Sequence, residues 1–169
     1  MIDNKEGDVY FIGAYEGVLE KAIKLLKFRL KKRIARYLSD IMANHNPFRD
    51  FDLIIPVPLH KHRLDERGFN QSELIAAEIS KRSGAPLVGD CLIRIKDTKH
   101  QFELGRAERL SNLNGAFAIN DPQTVKGKRI LLIDDIYTTG STIGECRRCL
   151  LESGAGPVNS LILSRPVSL

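Results

Sequence analysis

One hundred and sixty-nine residues, 43% of them hydrophobic and 28% charged, fit one compact domain and exclude a disordered chain. A formal net charge of +5 suits nucleic acid, acidic lipid or an enzyme substrate carrying several phosphates, and the sign does not choose among them. No apolar run approaches the ~20 residues of a membrane helix, and residues 1–7 are too polar for a signal peptide. Cys91, Cys146 and Cys149 are too few and odd in number for a disulfide framework, so reduced thiols in the cytoplasm, with no membrane insertion, are expected.

In chain order, Leu19, Ala22, Ile23, Leu26, Leu30, Ile34, Leu38 and Ile41 recur at steps of three and four, predicting an amphipathic helix over 17–43. Its other side carries Lys21, Lys24, Lys27, Lys31, Lys32 and Arg36, a solvated basic face or a surface for nucleic acid or lipid. A short apolar strand at 53–58, closed by Pro56 and Pro58, leads into a basic loop with Arg63, Arg67 and Gly68. A helix over 70–82 follows, ended by Ser83, Gly84 and Pro86. Residues 91–94 read as a strand, and the polar, aperiodic stretch 95–112 as a long mobile loop. Further strands are predicted at 115–119, 129–135 and 158–163, with a turn over 122–127 and a helix containing Ile143, Leu150 and Leu151. Strands alternating with helices predict an α/β fold with a mostly parallel sheet covered on both faces and a ligand at the carboxyl ends of its strands.

The stretch ILLIDDIYTTGST at 130–142 carries the most chemistry. Thr138, Thr139, Gly140, Ser141 and Thr142 fall where a strand turns into a helix, so backbone N–H groups, hydroxyls and the positive helix end can wrap a phosphate. Gly140 leaves the backbone room to approach. Asp134 and Asp135 repel one another at the strand tip unless they accept hydrogen bonds from a polyol or face a cation. A ribose diol meets that need, so acids beside a phosphate cradle point to a sugar phosphate.

These residues resemble the phosphoribosyl pyrophosphate motif of the type I phosphoribosyltransferases. More narrowly, Tyr15-Glu16-Gly17, Lys27-Phe28, the segment PVPLH at 56–60, RGFNQ at 67–71, Arg94, Thr98, Gln101, Leu104, Arg109 and Asn112 resemble the ComF family, which is amidophosphoribosyltransferase-like. The resemblance runs from about Tyr15 to Leu163, taking 1–14 as a lead and 15–169 as the phosphoribosyltransferase domain. It implies a core of about five strands, a small hood drawing on 17–43, and a flexible catalytic loop. It implies a pentosyl-transferring glycosyltransferase that binds phosphoribosyl pyrophosphate with Mg²⁺, the ion held mainly by substrate and water. Asp134 and Asp135 then hold the ribose, Thr138 to Thr142 the 5′-phosphate, and Arg63 and Arg67 the pyrophosphate, while Lys96, Lys99 or Arg109 close over it. The resemblance equally admits a competence role, binding single-stranded DNA or competence-machinery proteins, or sensing the sugar phosphate without turnover, and it leaves room for an oligomer.

Members of this family commonly begin with a four-cysteine zinc finger, and none precedes Tyr15 here; Cys146 and Cys149 lie in a predicted helix with no second pair and read as plain thiols. His60 and His62 lack a third ligand in the sequence and read as anion contacts or solvated side chains. Asn70-Gln71-Ser72 reads as a helix cap. A P-loop ATPase is excluded because no G-x-x-x-x-G-K-[ST] loop accompanies the acidic strand. A receiver domain is excluded because only 34 residues follow Asp135.

Overall fold

The computed structural model describes residues 5–26, 31–97 and 113–166. Its centre is β6 (Ile130–Ile136), a strand of seven residues of which six are buried. Successive side chains of a strand point to opposite faces, so β6 feeds two cores at once. Ile130 and Leu132 join Phe11, Ile55, Phe117 and Cys146 on one side. Leu131 and Ile133 join Ile23, Leu38, Ile75 and Leu163 on the other. An apolar run buried on both faces is the mark of a parallel strand, and β6 is hydrogen-bonded in parallel to β3 (Leu53–Pro56) and to β7 (Val158–Arg165).

Beyond β7 lies β2 (Val9–Ala14), also parallel, edged by the antiparallel β1 (Lys5–Glu6), giving the order β1-β2-β7-β6-β3. The sheet therefore begins before Tyr15, and residues 5–14, read from the sequence as a polar lead, supply two of its strands. The count of five strands holds with different members. β4 (Leu92–Arg94) and β5 (Phe117–Ile119), expected in the core sheet, pair with each other antiparallel as a separate two-stranded sheet.

One face of the main sheet is covered by α1 (Gly17–Leu26), α2 (Lys31–His45) and α4 (Gln71–Ser83). The expected helix over 17–43 is thus two helices that pack against one another, which two halves of a straight helix cannot do. The buried stripe of α2 is Ala35, Leu38, Ser39 and Met42, one position out of phase with the sequence-based stripe, while Ile34 and Ile41 are only half-buried. Both helices lie on the sheet and share its core; their burial leaves these residues as a layer of the main body, not the hood expected of them.

Two short helices replace predicted irregular structure. α3 (Lys61–Arg67) occupies the expected basic loop, capped by His60 and ended by Gly68 at φ +74°. It buries no residue, so its sequence carries no apolar period. α5 (Pro122–Val125) is one turn where a turn was expected, with Asp121 as its cap. α6 (Ser141–Glu152) covers the second face of the sheet through Ile143, Cys146 and Leu150. Among the described residues, no helix is long and apolar enough to cross a membrane.

Candidate functional site

β3, β6, β7 and β2 run the same way, so their carboxyl ends share one rim. Asp134 and Asp135 close β6 at this rim, both buried, at 8% and 6% exposure. Asp134 Oδ1 accepts two hydrogen bonds, from Ser72 Oγ at 2.9 Å and from the Asp135 N–H at 2.9 Å. Burial and, next, the charge of Asp135 hold the Asp134 carboxyl well above its ordinary range, against the opposing pull of those two donors. An Asp134 carboxyl so placed readily accepts a proton or a hydroxyl donor.

Ser72 reaches Asp134 because the start of α4 is fixed. Asn70 Oδ1 accepts from the Ser72 N–H at 3.0 Å, while Asn70 Nδ2 donates to the Val57 carbonyl at 2.9 Å, so one side chain caps the helix and ties it to the end of β3. The cap expected from Asn70-Gln71-Ser72 is present, and Ser72 adds a role that the sequence reading gave it no reason to have. Its contact with Asp134 spans 62 positions, beyond any local signal.

After Asp135 the chain turns through Tyr137 and Thr138 into α6. Gly140 is the N-cap, at φ +78°, and offers no side-chain acceptor to the first helical turn. The positive end of the helix thus lies beside Thr138, Thr139, Ser141 and Thr142. Thr139 Oγ1 and Ser141 Oγ share a hydrogen bond of 2.7 Å. A second cause enforces glycine here: a Cβ at position 140 falls 2.8 Å from Cζ of Tyr137. That ring is held from below by Phe11, edge to face at 4.9 Å between centroids.

The basic candidates lie on α3, just past β3. Arg67 Nη1 donates to Gln71 Oε1 at 2.6 Å, which orients it toward the start of α4. Arg63 is half-buried, and its charge acts on both Arg94 and Asp97. Lys96, expected on a closing loop, instead donates to the Asn114 carbonyl at 2.6 Å and joins the two ends of the stretch it flanks. Lys99 and Arg109 lie outside the described residues, as does most of 95–112.

Arg94, which the sequence reading left without a role, ends β4 beside this rim. Its backbone bridges that of His60, and its guanidinium lies 5.7 Å from the Phe117 ring centroid. Burial and then the neighbouring Arg63 lower its affinity for a proton. Its signal in the sequence was an arginine closing an apolar strand. Asp97 was likewise passed over. Its Oδ2 lies 2.6 Å from Nδ1 of His62 and its Oδ1 3.3 Å from Nδ1 of His60, and these contacts, that with His62 foremost, hold it below the ordinary carboxylate range. Cys146 is buried and Cys149 half-buried on α6, and both thiols are pushed up, by burial first.

No family model matches the chain. It is 35% identical over 156 residues to competence protein ComFC of Bacillus subtilis, covering 89% of this chain and 61% of that protein. It is 32% identical over 161 residues to the DNA utilization protein YhgH of Escherichia coli K12, covering 91% and 70% of the two. Competence protein F of Haemophilus influenzae is 32% identical over 162 residues, with 91% and 71% covered. The chain thus spans about three-fifths of ComFC and about seven-tenths of the other two.

Among solved structures, the allosteric regulatory enzyme of purine biosynthesis superposes with a TM-score of 0.53 at 22% identity, over 76% of this chain and 25% of that one. The glutamine phosphoribosylpyrophosphate amidotransferase of B. subtilis gives 0.52 at 20% identity, with the same coverage. At this identity the likeness is one of fold, that of the phosphoribosyltransferases.

Proposed function

The chain belongs to the ComF family, and from that premise we propose that it binds phosphoribosyl pyrophosphate with Mg²⁺ at the carboxyl rim of its sheet and transfers the ribosyl phosphate to a nitrogen nucleophile. The observation that carries this reading is the run of two buried, adjacent carboxylates directly into a helix capped by a glycine at positive φ. Carboxylates accept from hydroxyl donors, of which a ribose offers two, and a helix N-terminus favours an anion such as a 5′-phosphate with its three oxygens.

In this reading Asp134 and Asp135 accept from the ribose hydroxyls, and the residues from Thr138 to Thr142 hold the 5′-phosphate. Fixed at both ends, the sugar presents C1 to the nucleophile. The C1–N bond forms as the C1–O bond to pyrophosphate breaks, the electron pair leaves on the pyrophosphate oxygen, and C1 gains oxocarbenium character between the two. Arg63 and Arg67 supply positive charge where the pyrophosphate departs, which is where preorganised charge lowers a barrier. Lys99 and Arg109 are assigned to the same task from their positions in the sequence. Replacing Lys99 by Ala then lowers turnover more than affinity; equal losses speak against a transition-state role.

The donors at the rim are carboxylate and hydroxyl oxygens, a set that suits a hard divalent cation. Mg²⁺ bound with the substrate supplies charge to the pyrophosphate, held mainly by substrate oxygens and water. Reduced thiols and the lack of any membrane-spanning helix among the described residues suit a cytoplasmic setting.

The relatives' names support a second reading, a competence or DNA-utilization protein that uses single-stranded DNA without catalysis. On α2, Tyr37 is 61% exposed beside the exposed Arg33 and Arg36, a ring with cations on which a base can stack. Calorimetric titration with phosphoribosyl pyrophosphate, with and without Mg²⁺, beside single-stranded DNA at two salt concentrations, separates the two. Mg²⁺-dependent binding that disappears in the Asp134→Asn/Asp135→Asn variant supports the first. Salt-sensitive DNA affinity with no sugar-phosphate binding overturns it in favour of the second.

A further inference from the structure

His60 and His62 begin α3, and Asp97 follows β4; the fold brings them together because the backbone of His60 bridges that of Arg94 in parallel. One ligand atom from each of the three side chains can be chosen so that all lie within 4.8 Å of one another. The two imidazole rings stand edge to face at 5.1 Å between centroids. The sequence offered only the two histidines; the third donor lies 35 positions beyond His62.

We propose that His60, His62 and Asp97 form a site for a divalent transition-metal ion of the zinc type, with further coordination positions left to water or an anion. Bonds of ~2.0–2.2 Å to nitrogen and carboxylate oxygen place tetrahedral ligand atoms about 3.3 Å apart. Of the cluster's contacts, that of His60 with Asp97 is at 3.3 Å and that of His62 with Asp97 at 2.6 Å, and the three ligand atoms lie within 4.8 Å, so small side-chain adjustments reach that spacing. His60 is the fixed member, its side chain 14% exposed and its Nδ1 accepting from the His62 N–H at 3.4 Å. His62 and Asp97, at 72% and 47%, have room to adjust around an ion.

The donor chemistry sets the metal class. Two imidazoles and one carboxylate favour Zn²⁺, Co²⁺ or Ni²⁺ over Mg²⁺ and Ca²⁺, which prefer oxygen alone. Arg63 acts electrostatically on Asp97 and opposes every divalent cation alike, so the choice of metal rests on the donor atoms. The site is therefore distinct from the Mg²⁺ proposed at the sheet rim, and it stands or falls independently of sugar-phosphate binding.

The test is titration of the metal-free full chain with Co²⁺, followed by displacement with Zn²⁺. One equivalent of Co²⁺ is expected to give visible ligand-field bands without a thiolate charge-transfer band. His62→Gln and Asp97→Asn, both at exposed side chains, are each expected to weaken Zn²⁺ binding by at least about tenfold. His45→Gln, on α2, is expected to leave it unchanged. Nuclear magnetic resonance of the unaltered protein gives a readout independent of the variants: one equivalent of Zn²⁺ is expected to shift the imidazole signals of His60 and His62 and not that of His45. Absence of saturable binding, a thiolate band, unaltered affinity in both variants, or unmoved His60 and His62 signals overturns the proposal.

Discussion

The two ends of β6 treat acidic side chains in opposite ways. At the amino end, Arg129 grips Asp52 at the start of β3 through Nη2 at 2.8 Å and Nε at 3.2 Å, and its backbone N–H adds a third bond at 2.8 Å. That fork pulls the Asp52 carboxyl down to about 2. At the carboxyl end, Asp134 lies beside a second carboxylate and is held by a hydroxyl and an N–H, which leave its proton affinity raised. One end of β6 thus meets an acid beside β3 that is arranged for the folded state, and the other end carries an acid, Asp134, arranged against it. The second arrangement is the one a ligand can repair, since hydroxyl donors or a cation relieve what the fold leaves unrelieved.

The largest test of this contrast is the Asp134→Asn/Asp135→Asn variant. Its affinity for phosphoribosyl pyrophosphate is expected to fall by about two orders of magnitude, since hydrogen bonds to charged groups contribute roughly 1.5–3 kcal/mol each. Thermal unfolding of the same variant is expected at higher temperature, by about 2–4 °C for each kcal/mol of repulsion and desolvation relieved. Lower stability together with intact affinity breaks the contrast. Next, Gly140→Val meets both a left-handed backbone and the Tyr137 ring, a combined strain of about 2–3 kcal/mol. Calorimetry is expected to find sugar-phosphate binding lost and the melting temperature lowered; normal binding argues against a backbone cradle at the start of α6.

A smaller effect lies in pH. Because the folded state raises the Asp134 pKa, it binds that proton more tightly than the unfolded chain does, and this contribution to stability declines as pH rises above the ordinary carboxylate value near 4. Denaturant unfolding from pH 4 to 8 is expected to show that decline, flattened in the double Asn variant. Smallest is Asp52→Asn. A lowered pKa gives stability that is present above the ordinary carboxylate range and lost as pH falls toward about 2. The pair is at the surface, so the change in melting temperature is expected to be slight, suppressed by salt, and without effect on binding.

The carboxyl rim was the part most legible in the sequence, because β6, its acids and the start of α6 are contiguous and each piece has a local cause. Strand, acid pair and glycine cap all fall where the residues place them. What escaped depended on distance or on missing pattern. α3 has no buried face and hence no period to detect. The apolar steps of α1 and α2 join across 27–30 into one apparent helix, and only packing reveals two. β2 stood behind a polar start and was passed over, though Phe11 is fully buried. The pairing of β4 with β5, the contact of Ser72 with Asp134 and the approach of Asp97 to the histidines all join residues remote in the chain.

The double-sided burial of β6 bears also on how the chain finds its alignment during folding. In a strand with one wet face, a slip of one residue exposes apolar side chains and is corrected. Ile130, Leu131, Leu132 and Ile133 are apolar toward both faces, so a slip among them changes little. Asp134 and Asp135 end that ambiguity, because drawing either acid one step inward sets a carboxylate between hydrocarbon layers with no donor to meet it. The residues kept at a cost to stability thus mark where the apolar run of the central strand ends and fix its register.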